Sequence, residues 1–251
     1  MKRGVFVVLL AAACSHAPPV MPPGELDPQA LLEAARAAHR VPETLSGDAK
    51  AFVDAPQNGG RYALRLAVKR PASIHLEANT PIGDPAAILV ADKGRFALLD
   101  LRANVFYRGP ATPRNLSRLL PAPLTPEELV AFLTGTFPEL PGARVEAARL
   151  GDRYRLTFYT QALKDEIELG GDLRVEQVRR LGKRNELLWS VRLQDHDDSS
   201  GANVPTLIHL SVPAEKTEVD LQLKGIIANK PPPAGAFLLG VPKGMQVEEV
   251  P

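Results

Sequence analysis

The segment LTPEELVAFLTG, residues 124–135, carries the clearest helix signal in the chain and separates two long runs of strand-like sequence. Thr125 and Glu128 have the spacing of a capping box, in which each side chain accepts the backbone N–H of the other residue. Pro126 occupies the first helical turn, where its missing N–H does no harm. The apolar side chains form one wide face, made of Leu129, Phe132 and Leu133. We expect this face to pack against a sheet, because a helix must bury its apolar side on another element.

Alternating apolar and polar residues predict β-strands on both sides of this helix. The predicted strands lie near residues 62–69, 73–78, 87–91, 96–101, 105–107, 154–158, 187–193, 208–212 and 219–223, with further apolar segments at 237–241 and 247–250. This pattern amounts to roughly ten or eleven strands. The connections are short, as in the turn Asp92-Lys93-Gly94, which favours antiparallel pairing because parallel strands need long crossovers.

A sheet of this size curls, and its apolar face has to be covered. Asp27-Pro28 has the N-cap and first-turn residues of a second helix, with Leu31 and Leu32 on its apolar side. We therefore predict an α+β fold in which a curved antiparallel sheet forms an incomplete, half-open β-barrel. Short helices pack on the concave face of this sheet. The interior of such a barrel can hold an apolar ligand.

Apolar and aromatic side chains on the central helix and on the inner strand faces are candidates for lining a cavity. They are Leu129, Phe132, Leu133, Tyr154, Phe158 and Trp189. Two interpretations of Trp189, the single Trp of the chain, remain open. It belongs to the closed core, or it forms a wall of the cavity.

Residues 1–26 indicate export and a tether rather than a folded element. Lys2 and Arg3 precede an apolar run at 5–13 that ends in small residues, as in a secretory signal peptide. The run is too short to span a bilayer, which takes about 20 residues. We therefore divide the chain into a signal peptide at 1–13, a Pro-rich tether at 14–26 and one folded domain at 27–251.

Cys14 directly follows Ala11-Ala12-Ala13 and is the only Cys of the chain. These residues resemble a bacterial lipobox, in which the Cys becomes the new N-terminus and carries acyl chains such as palmitate. The resemblance implies a protein held at the cell envelope by membrane lipid on Cys14. Ser15, in place of the Asp that retains lipoproteins in the inner membrane, implies the outer membrane, facing the periplasm. The alternative is an ordinary secretory peptide with an incidental Cys.

Composition and motifs exclude several functional classes. The chain has 30 Lys+Arg and 29 Asp+Glu, and a net charge of +1 does not suit a generic nucleic-acid binder. A single Cys excludes a disulfide framework and a Cys-based zinc cluster. The sequence contains no Gly-x-Ser-x-Gly, His-Glu-x-x-His or phosphate-loop pattern. We therefore expect no enzyme activity, no cofactor and no metal site.

Two polar clusters each leave two interpretations open. Residues 195–201, DHDDSSG, are either a loose Ca²⁺ site or a solvated hairpin turn. Arg179-Arg180 with Lys183-Arg184 is either a surface for anionic lipid headgroups or another solvated turn.

The order of a helix, five or six strands, a proline-flanked helix and further strands is similar to the lipoprotein-sorting superfamily of LolA and LolB. Residues 79–83, NTPIG, resemble the small-Pro-Leu-Gly loop of LolB-like proteins, and the apolar strand pair at 88–101 resembles the strands after that loop. Residues 124–135 resemble the LolB-like helix that ends in Leu-x-Gly. Residues 205–210 and 242–247 resemble the closing part of the superfamily. The resemblance spans about residues 27–250.

This resemblance implies a hydrophobic cavity that takes up the acyl chains of lipoproteins in transit, with a periplasmic LolA-like carrier as a partner. It also implies that the loop Pro81-Ile82-Gly83 delivers the cargo to the membrane, with Ile82 as its exposed apolar residue. The alternative for Ile82 is an ordinary hairpin residue that folds back onto the sheet. For the whole protein, the alternative is a structural or accessory envelope lipoprotein whose core is filled by its own side chains.

Overall fold

The computed structural model describes residues 26–56, 59–80, 83–138 and 140–251. Cys14, the signal peptide and most of the tether lie outside these residues, as do Pro81 and Ile82 of the predicted transfer loop. The helices are α1 (Pro28–Ala38), α2 (Pro113–Leu116) and α3 (Pro126–Leu133). The strands are β1 (Thr44–Asp54), β2 (Gly60–Lys69), β3 (Ser73–Asn79), β4 (Pro85–Asp92), β5 (Arg95–Asp100), β6 (Val105–Pro110), β7 (Arg144–Leu150), β8 (Arg153–Tyr159), β9 (Lys164–Leu169), β10 (Val175–Leu181), β11 (Leu187–Asp197), β12 (Val204–Val212), β13 (Thr217–Ala228) and β14 (Gln246–Glu249).

Within the described residues, fourteen strands form one sheet in the order β14-β6-β5-β4-β3-β2-β1-β13-β12-β11-β10-β9-β8-β7. The sheet is large, curved and not closed, because β14 and β7 remain as edges. Neighbouring strands are antiparallel from β6 through to β7, as predicted. β14 instead pairs parallel to β6. The long connection at 229–245 makes this parallel pairing possible.

The path of the chain places its middle segment inside the curve of the sheet. From β6 the chain crosses the concave face through α2 and α3, and it enters β7 at the opposite edge. α3 contacts β3 in the first half of the sheet and β12 in the second half. Strands β7 to β13 then return toward the first half, and β13 pairs with β1 from Leu45 to Asp54. The inserted segment is therefore enclosed by both halves of one sheet.

Local signals in the sequence locate the two longer helices. The Asp27 carboxylate accepts the Gln29 N–H at 3.0 Å at the start of α1, which packs on β7 and β8. The predicted capping box of α3 is confirmed, since the Glu128 N–H donates to Thr125 Oγ1 at 3.2 Å and the Thr125 N–H donates to Glu128 Oε2 at 2.8 Å. The helix ends at Leu133, two residues before the predicted end.

The sequence predicted ten or eleven strands and the described residues form fourteen. Four strands were missed because they lack a regular alternation of apolar and polar residues. β1 has small residues on its inner side and an irregularity between Ser46 and Asp48. β7 is an edge strand with mostly exposed side chains. β9 and β10 carry charged residues, Asp165 and Arg180, on the inner face that an apolar pattern would occupy. The apolar segment at 237–241 is not a strand, since Phe237 ends a turn and residues 238–241 are irregular.

The C-terminus closes the β6 edge through contacts that leave no room for a side chain at Gly109. The Val250 N–H donates to the Arg108 carbonyl at 2.9 Å. The Asn115 amide donates to the Pro251 carbonyl at 2.9 Å and to the Pro110 carbonyl at 3.0 Å. A Cβ atom on Gly109 would lie 2.2 Å from the Val250 carbonyl oxygen.

We expect Gly109→Ala to displace β14 and to lower the free energy of unfolding by about 1–3 kcal/mol, as for other overpacked sites. Hydrogen exchange should become faster for the amides of 246–250, and denaturant unfolding should give the stability change. Gly240→Ala is the matched control, because a Cβ at Gly240 meets nothing within 4 Å. An equal effect of the two substitutions would contradict the steric explanation.

Candidate functional site

An apolar cavity of about 240 Å³, partly open to solvent, lies between the concave face of the sheet and the segment 117–133 that crosses it. Its floor is formed by inner-face side chains of β1 to β5 and of β11 to β13. Its roof consists of residues 117–122, Leu124 and the apolar face of α3. Pro121 and Pro123 prevent a helix between α2 and α3, so this part of the roof is irregular.

Small side chains on adjacent strands account for the position of the cavity. Ala78 on β3 is paired with Ala87 on β4, and Ala51 on β1 is a third small residue, although its partner on β2, Tyr62, is large. All four of these residues line the cavity. Protein interiors are normally close-packed, and short side chains on a strongly curved sheet leave space that the roof does not fill.

The six predicted cavity residues fall into two groups. Leu129, Phe132 and Leu133, all on α3, line the cavity. Tyr154, Phe158 and Trp189 are buried but do not contribute to its lining, so their assignment to the cavity is corrected. Packing between aromatic rings accounts for two of these three positions. Trp189 packs on Phe132, with ring centroids 5.6 Å apart, and Phe158 packs on Phe137, at 5.9 Å.

The sequence patterns did not identify most of the lining. The alternation of apolar and polar residues placed Tyr62, Leu64 and Leu66 on one face of β2. It gives no information on which part of that face the roof leaves uncovered. The roof residues Leu119 and Leu120 were not predicted either. The available signal was the apolar, Pro-containing run SRLLPAPL at 117–124, which is too apolar for a loop exposed to solvent.

An ionic cluster beside the cavity fixes α3 to the sheet. Arg180 on β10 donates from Nε and Nη2 to the Asp165 carboxylate at 2.8 and 2.6 Å, and from Nη1 to Glu128 on α3. Its guanidinium lies 4.7 Å from the centroid of the Trp189 ring. Burial by itself would lower the pKa of Arg180, but its hydrogen bonds to Asp165 and the charges of Glu128 and Asp165 raise it. Arg180 is therefore a cation in the interior.

This cluster corrects both interpretations for Arg180, whereas Lys183 and Arg184 lie in a solvated turn. The Arg180 side chain is only 11% exposed and is engaged inside the sheet, so it is neither a solvated turn residue nor accessible to a headgroup. Arg179 points to the outer face, where it pairs with Glu166 at 2.6 Å and with Glu168 at 3.3 Å. Lys183 and Arg184 are exposed.

We expect Arg180→Met to lower the free energy of unfolding by about 3–5 kcal/mol, because two buried carboxylates lose their counter-ion. Arg179→Met is the matched control on the opposite face of the same strand, and it should cost clearly less, because Lys164 and Arg155 still pair with Glu166 and Glu168. Urea unfolding of the two variants checks this expectation. Similar losses for both would show that the buried cluster does not hold α3 in place.

Polar side chains mark one end of the cavity, which we call the cavity mouth and define as Asp100, Arg102, Ser117 and Arg118. Asp100 is the last residue of β5, and it pairs with Val105 at the start of β6. Ala87, which lines the cavity, lies opposite Asp100 on β4. The small side chains of the sheet therefore lead directly to the mouth.

The loop that contains the predicted transfer residues begins two positions after Ala78 and so lies at an end of the cavity-lining strands. The Thr80 N–H donates to the Asp84 carbonyl at 2.8 Å, and the Gly83 N–H donates to the Thr80 carbonyl at 2.9 Å. Gly83 has a φ of 94°, which only glycine adopts readily. Pro81 and Ile82 lie outside the described residues, so both interpretations of Ile82 stay open.

The acidic segment 195–201 comprises the last residues of β11 and the turn that follows, and the Asp197 carboxylate holds this turn. Asp197 accepts the Ser199 backbone N–H and the Ser199 hydroxyl, both at 2.8 Å. The backbone hydrogen bond from Ser199, followed by the hydroxyl bond, lowers the pKa of Asp197. In the part of the chain that the structure describes, no group of three or more His, Cys, Asp or Glu side chains is placed to hold a metal ion. None of the described helices is long and apolar enough to cross a membrane.

No family model matches the chain, and no curated protein matches it. Solved structures are nevertheless similar. A LolA superfamily protein from Nitrosomonas europaea has a TM-score of 0.60 at 12% identity, over 85% of this chain and 98% of that chain. A DUF1329 family protein from Desulfovibrio piger has a TM-score of 0.62 at 11% identity, over 84% and 98% of the two chains.

A domain named as an outer membrane lipoprotein-sorting protein, from Vibrio parahaemolyticus, has a TM-score of 0.61 at 9% identity, over 83% of this chain and 95% of that chain. Identities this low establish the fold and nothing further. The chain has the fold of LolA superfamily structures, as its sequence resemblance implied.

Proposed function

We propose that this protein binds an acyl chain in the cavity between the sheet and α3, and that it takes part in lipoprotein sorting at the bacterial envelope. The observation that carries the proposal is the cavity itself, whose floor and roof are almost entirely aliphatic. A binding role without catalysis fits a site of this kind, because its lining offers shape and apolar surface rather than reactive groups. We propose that the protein is not an enzyme.

The energetics of packing support an occupant. The cavity of about 240 Å³ is partly open to solvent, so part of its apolar lining faces water when no ligand is bound. A bound chain removes this surface and its own methylenes from water, and each buried methylene contributes about 0.8 kcal/mol. A chain with about ten buried methylenes would gain about 8 kcal/mol before the cost of ordering the chain and the complex.

The sorting role is supported by fold likeness to a domain named for outer membrane lipoprotein sorting. We propose that Cys14 carries the lipid anchor, that the protein faces the periplasm from the outer membrane, and that a LolA-like carrier delivers its cargo. Pro81-Ile82-Gly83 is the proposed transfer loop. In the sequence it follows Ala78, whose side chain lines the cavity.

Ala51→Phe tests whether the cavity binds the ligand, because it places a ring in the open volume. For the mature chain without its lipid-carrying Cys14, residues 15–251, we expect saturable binding of a fluorescent acyl probe that an acylated lipopeptide displaces and its deacylated form does not. Ala51→Phe should weaken the binding at least about tenfold by removing the volume that the chain occupies. Ala63→Phe, on the outer side of β2 and exposed, is the matched control and should bind as the parent does.

Two outcomes would contradict the proposal. Absence of saturable binding by a chain that is folded by circular dichroism would leave the structural, accessory role. Equal weakening by Ala51→Phe and Ala63→Phe would place the binding outside the cavity.

Cys14→Ser tests the anchor separately. The full-length variant should carry no acyl chain by mass spectrometry, and it should leave the membrane fraction, because the acyl chains contribute about 0.8 kcal/mol per buried methylene. A Ser15→Ala variant is the control and should remain in the membrane fraction. A Cys14→Ser protein that still sediments with carbonate-washed membranes would show that Cys14 is not the anchor.

A further inference from the structure

We propose that the ligand is a single-chain amphiphile with an anionic headgroup, which binds the guanidinium groups of Arg102 and Arg118 at the cavity mouth. This inference rests on the proposed function and specifies the class of molecule that the cavity takes. Three features of the site support it, namely its volume, the distribution of charge along its lining and the state of the two arginines.

The volume of the cavity suits one slender chain. Pockets for drug-sized ligands usually measure about 300–1,000 Å³, and this cavity of about 240 Å³ lies below that range. Several acyl chains side by side would require the roof to move away from the sheet. One chain can enter the volume that the small side chains leave.

Charge along the lining is confined to the cavity mouth. The charged side chains of the lining are Asp100, Arg102 and Arg118, and apart from Tyr62 and Ser117 the other lining side chains are apolar. A charged headgroup cannot follow its tail into such an interior, because burial without partners is too costly. The bound amphiphile is therefore oriented with its tail inside and its headgroup at the mouth.

The single carboxylate of the mouth is already engaged by the backbone. Asp100 Oδ1 accepts the N–H of Arg102 and the N–H of Ala103, each at 2.9 Å, and so organises the turn after β5. The Ser117 hydroxyl donates to the carbonyls of Pro113 and Ala122, at 2.7 and 3.1 Å. Asp100 Oδ1 and the Ser117 hydroxyl are thus held in local structure rather than by the arginines.

The two arginines are cations without an acidic partner. Among the described residues, neither the Arg102 nor the Arg118 side chain forms a salt bridge or a hydrogen bond, and both residues are exposed. The Arg118 guanidinium lies 4.5 Å from the centroid of the Tyr107 ring, a cation–π contact that limits its motion. Tyr107 pairs with Leu98, which also lines the cavity, so this contact holds Arg118 beside the mouth.

Guanidinium groups bind carboxylates and phosphates in a bidentate manner. The chemistry of the mouth therefore selects an anionic headgroup over a neutral or a cationic one. A fatty acid and a phosphate-bearing single-chain lipid share this chemistry, and a series of headgroups on one chain length separates them.

The test is displacement of a neutral naphthylamine probe from the mature chain by four amphiphiles with the same dodecyl chain, each below its micelle concentration. They are dodecanoate, dodecyl phosphate, dodecanol and dodecyltrimethylammonium. We expect at least one anion to compete about tenfold more strongly than the alcohol, and the cation to compete least. The stronger of the two anions identifies the headgroup, and the preference should shrink at high salt.

The double variant Arg102→Gln/Arg118→Gln should lose the preference for anions while it binds dodecanol as the parent does. Arg114→Gln is the matched control, since Arg114 is exposed on α2 and does not line the cavity. Equal competition by all four amphiphiles against the parent chain would overturn the headgroup proposal and leave the proposed function intact. Failure of the probe and of every amphiphile to bind a folded chain would overturn both.

Discussion

The guanidinium of Arg180 lies between two buried carboxylates, Glu128 on α3 and Asp165 on β9, and the position of the inserted segment depends on this contact. A buried cation is tolerated only when its partners compensate for the lost hydration, and here the hydrogen bonds to both carboxylates do so. Glu128 has a second task, since it also caps α3 through the Thr125 N–H. The start of the helix and its attachment to the sheet are therefore set by one side chain.

The position of α3 divides the interior into a filled half and an open half. On the side of β8 to β11, Phe132 packs edge-on against Trp189, and Phe137 packs against Phe158. Toward β1 to β5 and the adjoining β11 to β13, the same helix faces a floor that includes short side chains such as Ala51 and Ala78, and a cavity remains. The contrast arises because one rigid helix crosses a sheet whose inner side chains differ in size from one half to the other.

The proposed ligand uses both properties of the open half. Its chain would replace the packing that the small side chains cannot supply, and its headgroup would remain with Arg102 and Arg118 at the mouth, where water and charge are available. Apolar burial provides affinity in such a site, whereas the charged rim decides orientation and selectivity. The end of β3 and the turn after β5 lie at the same end of the sheet, because Asn79 pairs with Pro85 and Ala87 pairs with Asp100.

Features that depend on short spacings could be predicted from the amino-acid sequence: the caps of α1 and α3, the apolar phase of strands such as β2, and the antiparallel order of the hairpins. These features arise from contacts between residues a few positions apart, which a pattern records directly. The contact of Arg180 with Glu128 and Asp165 could not be predicted, because these charged residues lie far apart in the sequence and each has the pattern of a surface residue. Only the pairing of the strands in the folded sheet brings them together. The sequence also could not show that Phe132 lines the cavity while Trp189 does not. An apolar residue has the same alternating sequence pattern whether its side chain packs on a neighbour or faces a cavity.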